Sequence, residues 1–323
     1  MKVIKYPAKE EWKELVKRPH LDVSQLNATV EGVLEDVRNH GDEAVKRYEE
    51  KFDHAHLDSL SVSEAEMDEA EHMVSAELKH ALELAHHNIA RFHESQKFEG
   101  SKVETCPGVE CWQKSVAIQK VGLYIPGGTA PLFSTVLMLA TPAKIAGCEE
   151  IVLCTPPNAE GKVNPAILMA AKIAGVSKIF KAGGVQAIGA MAYGTESVPK
   201  VYKIFGPGNQ FVMAAKQHVS LHDVAIDMPA GPSEVCVIAD ESSNPVFVAA
   251  DLLSQAEHGF DSQVFFITTS EEMISKVVKE VEQQLERLPR KEMAHTSLDN
   301  SKFILVKDKQ ETIDLSNAYA PEH

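Results

Sequence analysis

VGLYIPGGTAPLFSTVLMLATPAKIAG, residues 121–147, decides the fold. Val121–Ile125 is a short apolar run, and it ends in the Pro/Gly loop PGGTAP at 126–131. An alanine-containing helix is expected to follow over Thr135–Ala146. The unit recurs three times. Ile151–Cys154 precedes TPPN and a helix over Pro165–Ala174; Lys178–Phe180 precedes KAGG and a helix over Val185–Tyr193; Val201–Phe205 precedes GPGN and a helix over Asn209–Val219. Strand–loop–helix at this interval is the pattern of βαβ units in a parallel sheet with helices on both faces. Right-handed crossovers then bring the strand-end loops to one sheet edge, where ligands bind in open α/β folds.

Downstream the pattern continues. Strands are expected at Val224–Met228, Glu234–Ala239, Val264–Thr268 and Phe303–Val306, with helices around Phe247–His258 and over Glu271–Leu288. The tail Ser316–His323 reads as a loop. Upstream the chain is helical. Residues 26–52 carry Val30, Val33, Leu34, Val37, Val45 and Tyr48 at helical spacing, broken by Gly41, which reads as helix–turn–helix. A further helix begins at Ser63, with Glu66 three residues on as a capping box. Met67, Val74, Leu78, Leu82, Ala85, Ile89 and Phe92 then mark one stripe of a long amphipathic helix. The expected architecture is α/β: two Rossmann-like lobes with mainly parallel sheets, one inserted into the other, and a helical N-terminal region. Residues 1–25 form an arm, 26–118 with 238–323 the first lobe, and 119–237 the second.

Composition narrows the function. The 323 residues are 44% hydrophobic and 24% charged, ordinary values for a globular chain with about two domains. A formal charge of −15 repels a phosphate backbone, so nucleic acid is not an expected partner. No apolar run is long enough for a bilayer, and MKVIKYPAKEEWKELVKR at 1–18 lacks the apolar core of a secretory signal. Cys106, Cys111, Cys148, Cys154 and Cys236 are odd in number without a C-x-x-C pair, which fits reduced thiols in a cytoplasmic protein.

Several segments can carry chemistry. Gly206-Pro207-Gly208-Asn209-Gln210-Phe211 begins like the dinucleotide fingerprint but lacks its third glycine. Gly127-Gly128, Gly183-Gly184 and Gly206/Gly208 each put backbone N–H groups at a helix start, as a diphosphate requires. For any one loop a tight turn is the plainer reading; several on one sheet edge argue for a ligand. Gln255 and His258 are neighbours on one helical face. Imidazole is a good zinc ligand and an amide oxygen a weak one, but two ligands do not make a site, and spacing alone favours a surface Q-x-x-H. Glu322-His323 sets a carboxylate beside an imidazole suited to proton transfer, although a polar tail is the plainer reading. Ser233 has no histidine nearby in sequence and reads as a ligand contact or turn cap rather than a nucleophile. Cys154 and Cys236 lie in apolar strands, where thiols are inert. His72, His80, His86, His87 and His93 do not converge on one helix face and read as solvated surface.

Jointly these segments resemble a known family. VGLYIPGGTAPLFS (121–134), AGGVQAIGAMAYG (182–194), FGPGNQFV (205–212), IDMPAGPSEVCVIAD (226–240), DLLSQAEHGFDSQ (251–263) and NAYAPEH (317–323) are similar, in order and spacing, to histidinol dehydrogenase. The resemblance implies an aldehyde-dehydrogenase-like pair of Rossmann-like lobes. It also implies a cytoplasmic homodimer with a shared active site that oxidises L-histidinol through L-histidinal to L-histidine, the last steps of histidine biosynthesis, with two NAD⁺ and a bound zinc ion. By motif position it assigns Tyr124, Gln186 and Asn209 to NAD, and Ser233, Gln255, His258 and His323 to substrate. It makes Gln255 and His258 zinc ligands and Glu322 and His323 the acid–base pair. In that family the chain continues past the position of His323 with an aspartate and a histidine as further zinc ligands, the histidine serving the partner subunit. A chain ending at His323 is therefore expected to lack them, to hold zinc poorly and to turn over little. Three rivals stand beside this reading: a relative acting on another small amino or sulfonated alcohol, a thiol-dependent aldehyde dehydrogenase, and a non-catalytic NAD- or metabolite-binding protein.

Overall fold

The computed structural model describes residues 1–18, 23–127, 131–176, 178–229, 234–260 and 262–323. In chain order these form β1 (Lys2–Lys5), α1 (Trp12–Leu15), α2 (Val23–Phe52), α3 (Glu64–Met73), α4 (Ala76–Glu94), β2 (Val103–Cys106), β3 (Val109–Cys111) and β4 (Lys120–Tyr124). Next come α5 (Phe133–Ala146), β5 (Glu150–Thr155), α6 (Pro165–Ile173), β6 (Lys178–Lys181), α7 (Gly184–Tyr193), β7 (Lys203–Phe205), α8 (Gln210–Ser220) and β8 (Ala225–Ile226). The rest is β9 (Glu234–Ile238), α9 (Pro245–Ala256), β10 (Gln263–Thr268), α10 (Glu271–Leu285), α11 (Lys291–Asp299), β11 (Lys302–Leu305) and α12 (Lys309–Tyr319). The chain divides into two compact units, Asp22–Pro229 and Met1–Leu21 with Ala230–His323. No described helix is long and apolar enough to cross a membrane.

The unit of 22–229 is built on a parallel five-stranded sheet ordered β6-β5-β4-β7-β8. Alternation along β4 decides its two faces. Val121 and Leu123 point, with Ile151 and Leu153 of β5, to a core shared with α3, α4, α5 and α6. Tyr124 points, with Val152, Cys154 and Ile204, to a core shared with α2, α7 and α8. Each side chain buried this way contributes about 1.5–3 kcal/mol, so the stripe Val30, Val33, Leu34, Val37 and Val45 fixes where α2 lies. Gly41 (φ 51°, ψ −131°) interrupts that helix where the turn was read.

The unit of 1–21 and 230–323 has a parallel four-stranded sheet ordered β1-β11-β10-β9. Val264, Phe266, Phe303 and Leu305 face α9, α10 and α11; Phe265, Ile267, Ile304 and Val306 face Trp12, Leu315 and Tyr319.

The structure corrects the sequence reading at five places. Helices of 26–118, grouped by sequence with 238–323, bury their apolar stripes on the β4–β8 sheet instead. β9 pairs with β10, so the strand at 234–238 does not belong with 119–237. The arm contains a strand, β1, beside β11. The long helix expected from Ser63 breaks at Val74, where Ser75 caps a second helix by accepting from the Leu78 N–H at 3.2 Å, and Phe92 is exposed. The start of the supposed loop at 316–323 is the last turn of α12, held by the buried Leu315 and Tyr319.

Candidate functional site

In the unit of 22–229 the strand order reverses between β4 and β7, and the crevice beyond the carboxyl ends of two such strands is where doubly wound sheets bind nucleotides. The chain leaving β7 presses onto the end of β4. Gly206 has φ +135°, and a Cβ there would lie 2.1 Å from the Tyr124 carbonyl oxygen. Its N–H donates to Asp227 Oδ2 at 2.9 Å, and the buried Lys216 ammonium donates to its carbonyl at 2.7 Å while pairing with Asp227. Asn209 caps α8, its side-chain oxygen accepting from the N–H groups of Phe211 (3.0 Å) and Val212 (3.1 Å).

Tyr124 and Gln186 meet at the N-terminus of α7. The Tyr124 hydroxyl accepts from the Gly184 N–H at 3.0 Å, and burial pushes its ionisation above the ordinary tyrosine range. Gln186 is fully buried; its Nε2 donates to Glu49 Oε1 at 2.8 Å, and its own Oε1 has no partner among the described residues. Glu49, from α2, also accepts the Gly183 N–H at 2.8 Å. Burial pushes the Glu49 carboxyl up to about 7 against its two hydrogen bonds, and the neighbouring Asp53 carboxyl adds to the rise. A cleft of about 430 Å³ opens on this edge, lined in part by Asp53, Pro126, Gly127, Thr155, Pro156 and Asn158. Gly128 of the first glycine pair lies outside the described residues.

The other unit gathers its candidates at the amino edge of its sheet. Strands run one way and helices return, so the last turns of α9 and α12 lie beside the starts of β9 and β10. Gln255 is buried in the last turn of α9, its Nε2 3.3 Å from His258 Nδ1, and the His258 N–H donates to the Gln255 carbonyl at 3.1 Å. Tyr319, stacked on Phe265 with ring centroids 3.8 Å apart, donates from its hydroxyl to Gln263 Oε1 at 3.0 Å, with Glu234 Oε2 at 3.2 Å. Arg18 pairs with Glu234 and donates to the Tyr319 and Ala320 carbonyls at 2.9 and 3.0 Å. Ala320 then turns the chain out in the left-handed region (φ 48°), and the Cys236 N–H donates to the His323 carbonyl at 2.9 Å. The backbone of 319–323 is tied down while the side chains of Glu322 and His323 are exposed. Ser233 lies outside the described residues.

The structure therefore brings Tyr124 and Gln186 together, and separately joins Gln255 to His258. No hydrogen bond or ion pair links the Gln255–His258 pair to Glu322 or His323 among the described residues. Nor do three His, Cys, Asp or Glu side chains there gather as a metal-binding group. An amide oxygen and an imidazole nitrogen side by side at the end of α9 are donor types that suit zinc as part of a larger ligand set; the 3.3 Å contact between the two side chains is made by the amide nitrogen. Burial raises Cys154, and raises Cys236 to about 11, so neither is a thiolate near neutrality. Sequence reasoning passed over Glu49, Arg18 and Tyr319. Glu49 had a signal: it follows Val45 by four residues, a carboxylate on the apolar stripe of α2.

Comparison with known proteins agrees with these motifs. A family model described as histidinol dehydrogenase matches residues 16–323. A curated histidinol dehydrogenase of Bacteroides thetaiotaomicron is 68% identical over 323 residues, covering 100% of this chain and 76% of that protein. The one from Escherichia coli K12 is 52% identical over 317 residues, 97% of this chain and 72% of its own length. Among solved structures, histidinol dehydrogenase from Elizabethkingia anophelis matches with a TM-score of 0.97 and 52% identity, over 100% of this chain and 75% of that one.

Proposed function

The chain belongs to the histidinol dehydrogenase family, and from that premise we propose that it oxidises L-histidinol through L-histidinal to L-histidine with two NAD⁺. Identity of 68% across its whole length is the observation that carries this reading. Relatives at 52% bear the same name, which disfavours a different amino or sulfonated alcohol as substrate.

Tyr124, Gln186 and Asn209 are assigned to the dinucleotide, at the edge where the strand order reverses. NAD⁺, when bound, supplies the hydride acceptor for both oxidations. Gln255 and His258 would hold a zinc ion, whose affinity for nitrogen suits a substrate carrying an imidazole and an amine. Ser233 and His323 complete the substrate contacts in this reading. His323 takes the alcohol proton as the C–H bond breaks. Glu322 then takes a proton from the water that adds to the aldehyde, and His323, its proton released, takes one from the gem-diol in the second oxidation. Tethering of 319–323 keeps both side chains in place through the two steps. A cytoplasmic homodimer with a shared active site belongs to the same reading, and the five free thiols fit a reducing compartment.

The test is stoichiometry. The native polypeptide, supplied with zinc and excess NAD⁺, is expected to form two NADH and one histidine per histidinol. One NADH per alcohol, or faster turnover of another amino or sulfonated alcohol, overturns the proposal. The chemistry above uses no thiolate. Replacing each of the five cysteines in turn by serine is therefore expected to leave kcat per folded molecule within about twofold. A loss of about a hundredfold at any one of them would point to a covalent thiol route instead.

A further inference from the structure

Glu49 has no part in the chemistry proposed above, yet it is fully buried and its carboxylate enters the N-terminus of α7. One oxygen, Oε1, accepts from both the Gly183 N–H and Gln186 Nε2. The other, Oε2, has no hydrogen-bond partner among the described residues, and the neighbouring half-buried Asp53 carboxyl makes a negative charge on Glu49 still less favourable. Gln186 is fixed by this contact. Its Nε2 is spent on Glu49, and its unpartnered Oε1 sits 3.0 Å from where a Gly184 Cβ would be. Helix α7 has ten residues and no side-chain cap at Gly183; the Gly183 and Gly184 N–H groups are bonded to Glu49 and Tyr124, and its amino end keeps a positive potential beside a buried, unused acceptor.

We propose that Glu49 is a positioning residue of the dinucleotide site, holding Gly183 and Gln186 in place, and that a proton on the Glu49–Asp53 pair favours binding of the ligand's diphosphate. This rests on the reading of that edge as the NAD site. Ionised, Glu49 places a negative charge at the positive end of α7 and opposes an anionic diphosphate there. Neutral, Oε1 still accepts both N–H bonds, so the clamp survives while the opposing charge is gone. Binding and protonation are reciprocally linked: the diphosphate favours the proton, and the proton favours the diphosphate. The groups facing Glu49 do not offset its charge. They are Asp53, which has His54 beside it, at the end of α2, Tyr124 from β4, Cys154 from β5 and the neutral Gln186 amide from α7. Lys181 of β6 is already paired with Glu66. Burial holds the Glu49 carboxyl up to about 7, so the transition falls where binding can be measured.

The experiment is titration of the native polypeptide with NADH, by fluorescence, between about pH 5.5 and 8.5. Wild type is expected to bind about tenfold more weakly at the alkaline end. E49Q, which keeps the oxygen acceptor without the charge, is expected to bind with nearly constant Kd, close to the wild-type value at low pH. E49A, lacking the clamp, is expected to bind at least about tenfold more weakly throughout, with melting temperature and circular dichroism measured to separate affinity from unfolding. An E49Q variant with the wild-type slope overturns this proposal alone, as does a folded E49A that binds like wild type. A wild-type polypeptide that binds no dinucleotide at any pH overturns the reading of this edge and the proposal together.

Discussion

Replacing His323 by asparagine is expected to lower kcat for histidinol oxidation by about 10²- to 10⁴-fold while leaving KM within a few-fold. The range is what a positioned general base contributes, and in the proposed sequence this imidazole acts in both oxidations. The tail separates that loss from damage to the fold. Tyr319 is anchored by its stack on Phe265 and its hydroxyl contacts with Gln263 and Glu234. Arg18 holds the carbonyls of Tyr319 and Ala320, and Cys236 holds that of His323. All these contacts use backbone atoms of 319–323 or side chains before residue 320, so H323N removes an exposed imidazole and nothing that packs. Melting temperature should stay within about 1 °C, since a surface substitution away from such contacts changes stability by only about 0.5 kcal/mol. E322Q should slow the aldehyde step more than the alcohol step, because Glu322 enters only when water adds. Native polypeptide carrying H323N that still makes histidine at the wild-type rate would falsify the assignment of the base.

The sequence carried the sheet of β4 to β8 almost whole, because each strand, loop and helix there is a local pattern of apolar alternation and glycine. Partner choice was not legible. Whether the stripe of α2 covers the β4–β8 sheet or the β9–β11 sheet depends on packing between residues more than a hundred positions apart, such as Val37 and Met191. β9 shows the same limit, since Val235 finds Val264 only across the intervening helix α9. Chemistry-bearing types were readable at Gln255, His258, Glu322 and His323, but their common edge was not. That edge follows from the return of α9 and α12 against four parallel strands. Arg18 carries no signal in the sequence, and only the fold joins it to Glu234 and the carbonyls of Tyr319 and Ala320.

Alanine at Gly206 is expected to cost about 3 kcal/mol or more, a fall of about 6–12 °C in melting temperature, and to weaken dinucleotide binding at least tenfold. Two penalties add. The backbone at φ +135° is open to glycine and strained for every L side chain, and the new methyl would sit 2.1 Å from the Tyr124 carbonyl oxygen. Neither can relax cheaply. The Gly206 N–H is committed to Asp227 and its carbonyl to the buried Lys216, so any shift of this residue strips an acceptor from an ammonium that is 1% exposed. Moving Tyr124 instead disturbs its hydroxyl contact with Gly184, and with it the start of α7. Both routes deform the edge assigned to the dinucleotide, so affinity should fall in the folded variant as well. Gly32 supplies the control: a Cβ there meets nothing within 4 Å, and in the interior of α2 the same change should raise stability by about 0.5–1 kcal/mol. Equal melting temperatures for G206A and wild type, with equal affinity for NADH, would remove the close approach of β7 to β4 as the feature that shapes this site.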